Sequence, residues 1–268
     1  MQNSGIMNFT VLTIFPEMFD PFWEHGIVRR AIEQSKIAVS AVNIRDFAEG
    51  KHRVTDDRPY GGGTGMIMKP EPLAGAIRDA RTKTPSSRTI LMTPQGQKLD
   101  QHLARKLALL PGLVLVCGRY EGVDERIGHD LIDDEISIGD YVLTGGELPA
   151  MVLMDSVTRL LPGTLGGVDA SEEDSFSDSL LEHAYYTRPR VFEGAEVPDV
   201  LLSGNHGEIE KWRLESSLIR TFLKRKDLLE NRRLGKQEIE ILKKWCRDIE
   251  KIIYAQSFHS ADTLSGNQ

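Results

Sequence analysis

Ile138-Gly-Asp-Tyr-Val-Leu-Thr-Gly-Gly-Glu147 sets tight-turn glycines, an aromatic and two acids between an apolar strand and an apolar helix. Gly139, Gly145 and Gly146 can take backbone angles closed to other residues, so main-chain N–H and C=O groups can come close to a ligand. The helix reads as Leu148 to Leu161, with Pro149 tolerated in its first turn. Upstream, Pro111-Gly-Leu-Val-Leu-Val-Cys-Gly-Arg-Tyr-Glu-Gly122 repeats the plan, and Thr89-Ile-Leu-Met-Thr-Pro-Gln-Gly96 repeats it again. Further strands read at Phe9–Phe15, Ile37–Ile44, Thr89–Met92, Leu113–Cys117 and near Glu135–Ile138, with helical segments between. This alternation predicts a parallel α/β sheet, and periodicity alone suggests an unknotted, doubly wound one. Three of its strands end in Gly/Pro loops, the place where open α/β sheets bind ligands.

The loops match no nucleotide fingerprint. There is no G-x-x-x-x-G-K-[ST], and Tyr60-Gly-Gly-Gly-Thr-Gly65 has neither G-x-G-x-x-G nor a helix-opening lysine. An adenosine without phosphates, held by main-chain groups, suits such loops better than a phosphate-bearing cofactor.

A chain of 268 residues, 40% apolar and 27% charged, has the composition of an ordinary globular protein of one large or two modest domains. Cys117 and Cys246 are far apart and belong to no metal-ligand cluster, which fits a reducing cytoplasm. The start lacks the basic and apolar regions of a signal peptide, and the richest apolar run, Leu107–Cys117, is too short to span a bilayer. Cytoplasmic localisation is the expectation.

The net charge of -7 hides an asymmetry: Glu208–Lys251 carries 13 Lys/Arg against 9 Asp/Glu, or +4, leaving -11 for the rest. A helix over Glu208–Lys226 would put Arg213, Arg220 and Lys224 on one face, opposite a stripe of Ile209, Trp212, Ile219 and Phe222 or Leu223. That basic face suits phosphates or is simply solvated. Lys236–Ile253 reads as a second amphipathic helix through Leu242, Trp245, Ile249 and Ile252 or Ile253, followed by a frayed tail from Ala255. Pro162–Gly167 closes the α/β part, and the acidic run Val168–Phe176 reads as a connector in which Ser171 and Asp174 can also start a helix. The expected organisation is an extension over 1–8, an α/β domain over 9–165, a linker over 166–176 and a smaller, mainly helical domain over 177–268.

Five motifs, Asp57–Met66, Cys117–Arg126, Ser137–Ala150, Glu173–Phe176 and Leu201–His206, resemble those of the bacterial tRNA (guanine-N1)-methyltransferases, in order, from about Phe9 to about Leu229. The resemblance implies a parallel sheet with a deep trefoil knot whose loops bind S-adenosylmethionine, overruling the unknotted expectation. It implies methylation of N1 of guanine at position 37 of tRNA, with magnesium in the reaction, by a homodimer whose sites are shared between chains. The matching cofactor positions are Leu91, Met92 and Pro94; Gly118, Tyr120 and Glu121; Ser137, Ile138, Gly139, Tyr141, Leu143, Gly145 and Gly146; and Pro149. Leu91 stands where some relatives carry an aromatic. Near the target base the resemblance puts Gly65, with Asp56 and Arg58; Ser203, Asn205 and His206, with Tyr185–Arg190, face the RNA. No metal ligands are visible.

N1 of guanine bears a proton and is a poor nucleophile until it is lost, whereupon negative charge moves onto O6. The reaction needs a base, and a cation or donor near O6 lowers its barrier. Asp174 and Arg159 match the family's catalytic positions as base and as the group that stabilises O6 or orients Asp174. Without the resemblance Asp174 reads as a solvated acid, Arg159 as a helix-end partner of Asp155, Glu121 as a partner of Arg126 and Tyr60–Gly65 as a flexible turn. The apolar run Leu148–Met154 suits a dimer interface or ordinary core. A knotted 2'-O-ribose methyltransferase and a noncatalytic tRNA-binding protein are the competing classes; Asp174 in the connector argues against the first, and Asp174 together with Arg159 against the second.

Overall fold

Gly112–Cys117 is buried at every residue, which a strand achieves only with neighbours on both edges and cover on both faces. The structure, a computed structural model, describes residues 5–165 and 174–262, with side chains as far as residue 255. The expected extension is therefore described only from Gly5, and Glu173 and the connector up to it lie outside the described residues.

The first part of the chain runs β1 (Met7–Thr13), α1 (Gly26–Glu33), β2 (Ile37–Asn43), α2 (Pro70–Lys83), β3 (Arg88–Lys98), α3 (Gln101–Leu107), β4 (Gly112–Cys117), β5 (Asp134–Ser137) and α4 (Glu147–Thr158). The five strands form one parallel sheet in the order β2-β1-β4-β3-β5. Alternation along β1 splits the core: Met7, Phe9 and Val11 pack with Val28 and Ala31 of α1 and Leu153 and Val157 of α4, whereas Leu12 packs with Leu73 and Ile77 of α2. Helices thus cover both faces of the sheet.

The sheet departs from expectation at β3, which continues through the expected loop to Lys98 with a register shift between Met92 and Gln97. Gly96 makes that irregularity possible, because a Cβ there would overlap the main chain of Glu135 and Ile136. A two-stranded hairpin, Asp56–Asp57 with Ile67–Met68, carries the triple-glycine turn.

The chain divides into two compact units, one ending at residue 171 and the other beginning at 172. Residues 174–176 of the expected linker are hydrogen-bonded within the second unit. That unit contains α5 (His206–Lys224), capped by the Asn205 side chain, and α6 (Lys236–Asp262). Two expectations need correction here. The helix α6 runs through the first eight residues of the expected frayed tail, to Asp262, and its Ile249, Ile252 and Ile253 are exposed while Glu238 and Ile241 are buried. Similarly, Ile219, Phe222 and Leu223 of α5 are exposed, whereas Leu218 and Thr221 are fully buried. The reason lies in what α5 packs against, an extended segment whose main-chain groups demand hydroxyl partners. Leu181 N–H donates to Thr221 Oγ1 at 2.9 Å and Ala184 N–H to Ser216 Oγ at 2.9 Å. Periodicity of apolar residues alone misses such a face.

Candidate functional site

All fourteen positions singled out for a cofactor line one cavity of about 420 Å³ in the first unit, within the roughly 300–1,000 Å³ usual for small-molecule sites. The bulge of β3 supplies Leu91, Met92 and Pro94, the turn after β4 supplies Gly118, Tyr120 and Glu121, and the segment from Ser137 to Pro149 supplies the rest. Tyr120 has φ 62°, a left-handed conformation costly for a side-chain-bearing residue and often found where a site over-determines the backbone. Ser137 folds its own loop: its hydroxyl accepts from Gly139 N–H at 3.2 Å and donates to Gly139 O at 3.0 Å.

The two later loops are joined directly. Gly146 N–H donates to Gly118 O at 2.9 Å, and a Cβ on Gly146 would lie 2.7 Å from Cys117 Cα, so only glycine allows this approach. Behind them is a buried polar cluster that sequence reading missed. Glu147, 1% exposed, accepts from Arg119 Nε at 2.9 Å and from the Thr13 hydroxyl at 2.7 Å. Arg119 also donates to Thr144 O at 3.3 Å and lies 4.7 Å from the centre of the Phe15 ring. Both charged residues stand inside the glycine motifs, but nothing in spacing indicates that they pair. Burial, and next the neighbouring Glu147, push the Cys117 thiol well above its usual range against the opposing pull of Arg119.

The triple-glycine hairpin is laced to the second loop: Glu121 N–H donates to Met66 O at 3.0 Å and Met68 N–H to Gly122 O at 3.0 Å. Gly65 therefore backs onto Glu121, whose Cγ would be 2.6 Å from a Cβ at position 65. Asp56 and Arg58 lie on this hairpin, outside the cavity wall. Arg126 does not pair with Glu121; it bonds Asp124 twice, at 2.8 and 2.7 Å, which holds that carboxyl below its usual range.

Arg159 caps the C-terminus of α4 and is linked to Asp155 through the main chain, N–H to O at 3.1 Å. Asp174 belongs to the second unit, half-buried at the start of the segment that packs on α5. Ser203, Asn205 and His206 form the exposed N-terminus of α5, where Asn205 Oδ1 accepts Glu208 N–H at 3.4 Å and Ser203 Oγ accepts Asn205 N–H at 3.1 Å. Arg220, expected on a free basic face, donates through Nε to Glu182 O at 3.1 Å. A second cavity of about 490 Å³, lined by Tyr185, Tyr186 and Arg220 among others, adjoins an aromatic group in which His183 lies 4.3 Å from Tyr185 and Tyr186 lies 6.1 Å from Trp212.

The first unit is thus an α/β domain with a cavity walled by the bulge of β3 and the loops after β4 and β5, and the second is a helical unit with exposed aromatics. Residues 7–231 match the family model described as tRNA (Guanine-1)-methyltransferase TrmD. The chain is 56% identical over 262 residues to the tRNA (guanine-N(1)-)-methyltransferase of Desulfatibacillum aliphaticivorans, covering 98% of this chain and all of that one. It is 53% identical to the enzyme of that name from Syntrophotalea carbinolica and 51% to that from Staphylococcus carnosus, covering 91% of this chain in each case and 98% and 99% of theirs. The chain belongs to the tRNA (guanine-1)-methyltransferase family, and its activity is methylation of tRNA guanine at N1. Among the described residues, no helix is long and apolar enough to cross a membrane.

Proposed function

We propose that the enzyme transfers the methyl group of S-adenosylmethionine to N1 of the guanine at position 37 of tRNA, next to the anticodon, with Asp174 as general base. The observation that carries this reading is the convergence of fourteen predicted residues on one cavity. Its chemistry fits the cofactor: apolar walls from Leu91, Ile138, Leu143 and Pro149, glycines that open the main chain, and the Glu121 carboxylate for an ammonium group. When bound, S-adenosylmethionine supplies an electrophilic methyl group on a sulfonium.

The protein's own groups do the rest. Gly65, whose lack of a side chain lets the hairpin pack on Glu121 of the cavity wall, is the residue that the target base approaches. Asp174 takes the N1 proton, and Arg159 stabilises the charge that moves onto O6 or orients Asp174. The aromatic group around Trp212 and the exposed N-terminus of α5 suit a splayed-out loop base and a phosphate, respectively. Magnesium belongs to this reading on family resemblance and would polarise O6 when bound; among the described residues no three His, Cys, Asp or Glu side chains gather to hold a metal.

Two further features belong to this reading. The return of Gly145 and Gly146 onto Arg119 and Gly118 supports a chain path knotted at the cofactor loops. Exposed Leu148 and Val152 on α4 support a homodimer interface, with each site completed by the other chain's connector and C-terminal domain.

Wild-type enzyme and Asp174→Ala, incubated with labelled S-adenosylmethionine and a tRNA transcript with G at position 37, test the assignment by mass spectrometry of the nucleosides. We expect 1-methylguanosine from the wild type and a rate lower by at least about 100-fold in the variant. A ribose-methylated product, methylation at another position or an undiminished variant would overturn it.

A further inference from the structure

Residues 174–184 contain no long helix or strand, yet their main chain is closely tied down within its own unit. Ser177 N–H donates to Asp174 O at 3.0 Å and Phe176 N–H to Leu180 O at 2.8 Å. Phe176 and Ser179 have φ of 69° and 54°, left-handed conformations that persist only when surrounding contacts impose them. α5 provides many of those contacts. Thr221, Ser216 and Arg220 bond the main chain of Leu181, Ala184 and Glu182 as described above, and the Ser217 hydroxyl donates to Leu181 O. The Arg225 guanidinium lies 5.7 Å from the centre of the Phe176 ring, and Arg232 bridges Asp178 at 3.1 Å and Glu238 at 2.9 Å.

One side chain closes this segment beside Asp174. Glu182 Oε1 accepts from Ser175 N–H at 3.0 Å, and Ser175 Oγ accepts from Glu182 N–H at 3.1 Å. This reciprocal pair ties together residues seven apart in sequence, the first being the immediate neighbour of Asp174. The geometry asks Glu182 for a hydrogen-bond acceptor, which a neutral amide oxygen also provides.

We propose that Glu182 is a positioning residue for Asp174: by holding Ser175 N–H it fixes the direction in which the chain leaves Asp174, and with it the aim of the base at N1. The proposal rests on the reading of Asp174 as the base. Proton transfer requires contact distances, so freeing this peptide slows the chemical step without weakening either ligand.

The test uses the full-length enzyme with Glu182→Ala, Glu182→Gln and Asp174→Ala, measuring kcat, both KM values and amide hydrogen exchange over residues 175–184. In Glu182→Ala we expect kcat to fall about 10- to 100-fold with both KM values within about 3-fold of wild type, since a group acting through the base affects the transition state alone. Exchange at Ser175 should accelerate. Glu182→Gln should keep kcat within about 3-fold of wild type and leave Ser175 protected, as the acceptor is retained. Wild-type kcat in Glu182→Ala overturns the proposal, as does a Glu182→Gln enzyme as slow as Glu182→Ala with Ser175 still protected, which would assign the carboxylate a role that depends on its charge. Activity in Asp174→Ala would overturn the base reading instead; the Ser175 exchange rates would still decide whether Glu182 holds the segment.

Discussion

Glu147 lies behind the cavity with its carboxylate divided between Arg119 and Thr13. Such a charge is tolerated only while paired, so Glu147→Ala, which leaves the Arg119 guanidinium without its partner, should cost about 3–5 kcal/mol in urea unfolding. The substitution should weaken cofactor binding as well, because Arg119 also holds Thr144 O in the third loop. Asp124 makes a pH-dependent prediction. Its folded-state pKa is depressed, first by the side-chain hydrogen bond from Arg126, so its contribution is complete above the unfolded carboxylate value of about 3.9 and lost as pH falls through the folded value. Asp124→Asn should therefore lower the melting temperature at pH 7, and the difference should shrink in acid. Glu121 shows how local reading is settled by neighbours: with Arg126 committed to Asp124, Glu121 lies at the cavity against Gly65.

At the scale of elements, the cavity exists because the bulge within β3 meets the loops at the carboxyl ends of β4 and β5. Gly146 lets the start of α4 meet the main chain of Cys117 at the end of β4, so Gly146→Ala must push α4 away from β4 and should cost about 1–3 kcal/mol through overpacking. Calorimetry with S-adenosylmethionine should show a loss of affinity that exceeds any change in bulk secondary structure. These elements were legible in outline, as glycine clusters after apolar runs mark strand-end loops wherever they occur. The bulge in β3 was not, because Pro94 and Gly96 signal a chain reversal equally well until β5 pairs on both sides of them. The buried face of α5 was also hidden, since its partner is main chain and its contacts are hydroxyls.

For the whole molecule, the proposed catalytic pair is divided between the two units, Arg159 at the end of α4 and Asp174 at the start of the second unit's described residues. A homodimer with shared sites makes a quantitative prediction. Inactive Arg159→Ala and Asp174→Ala proteins, unfolded together and refolded as an equal mixture, should recover up to about one quarter of wild-type activity, because each mixed dimer has one intact site and one doubly altered site. Sites built within single chains would give no recovery.

The strands, the helices between them and the glycine-rich loops could be read from the sequence, because apolar periodicity and glycine placement are local consequences of backbone geometry, whereas the fourteen cavity residues were legible only through the family resemblance. The family was legible too, through long motifs in a fixed order. Only the tertiary structure decided that Glu147 pairs with Arg119, that Gly65 meets Glu121 and that Glu182 reaches back to Ser175. Those partners are 28, 56 and 7 residues apart. Which acid meets which donor depends on how the sheet and α5 bring distant segments together, and no local pattern of charge carries that information.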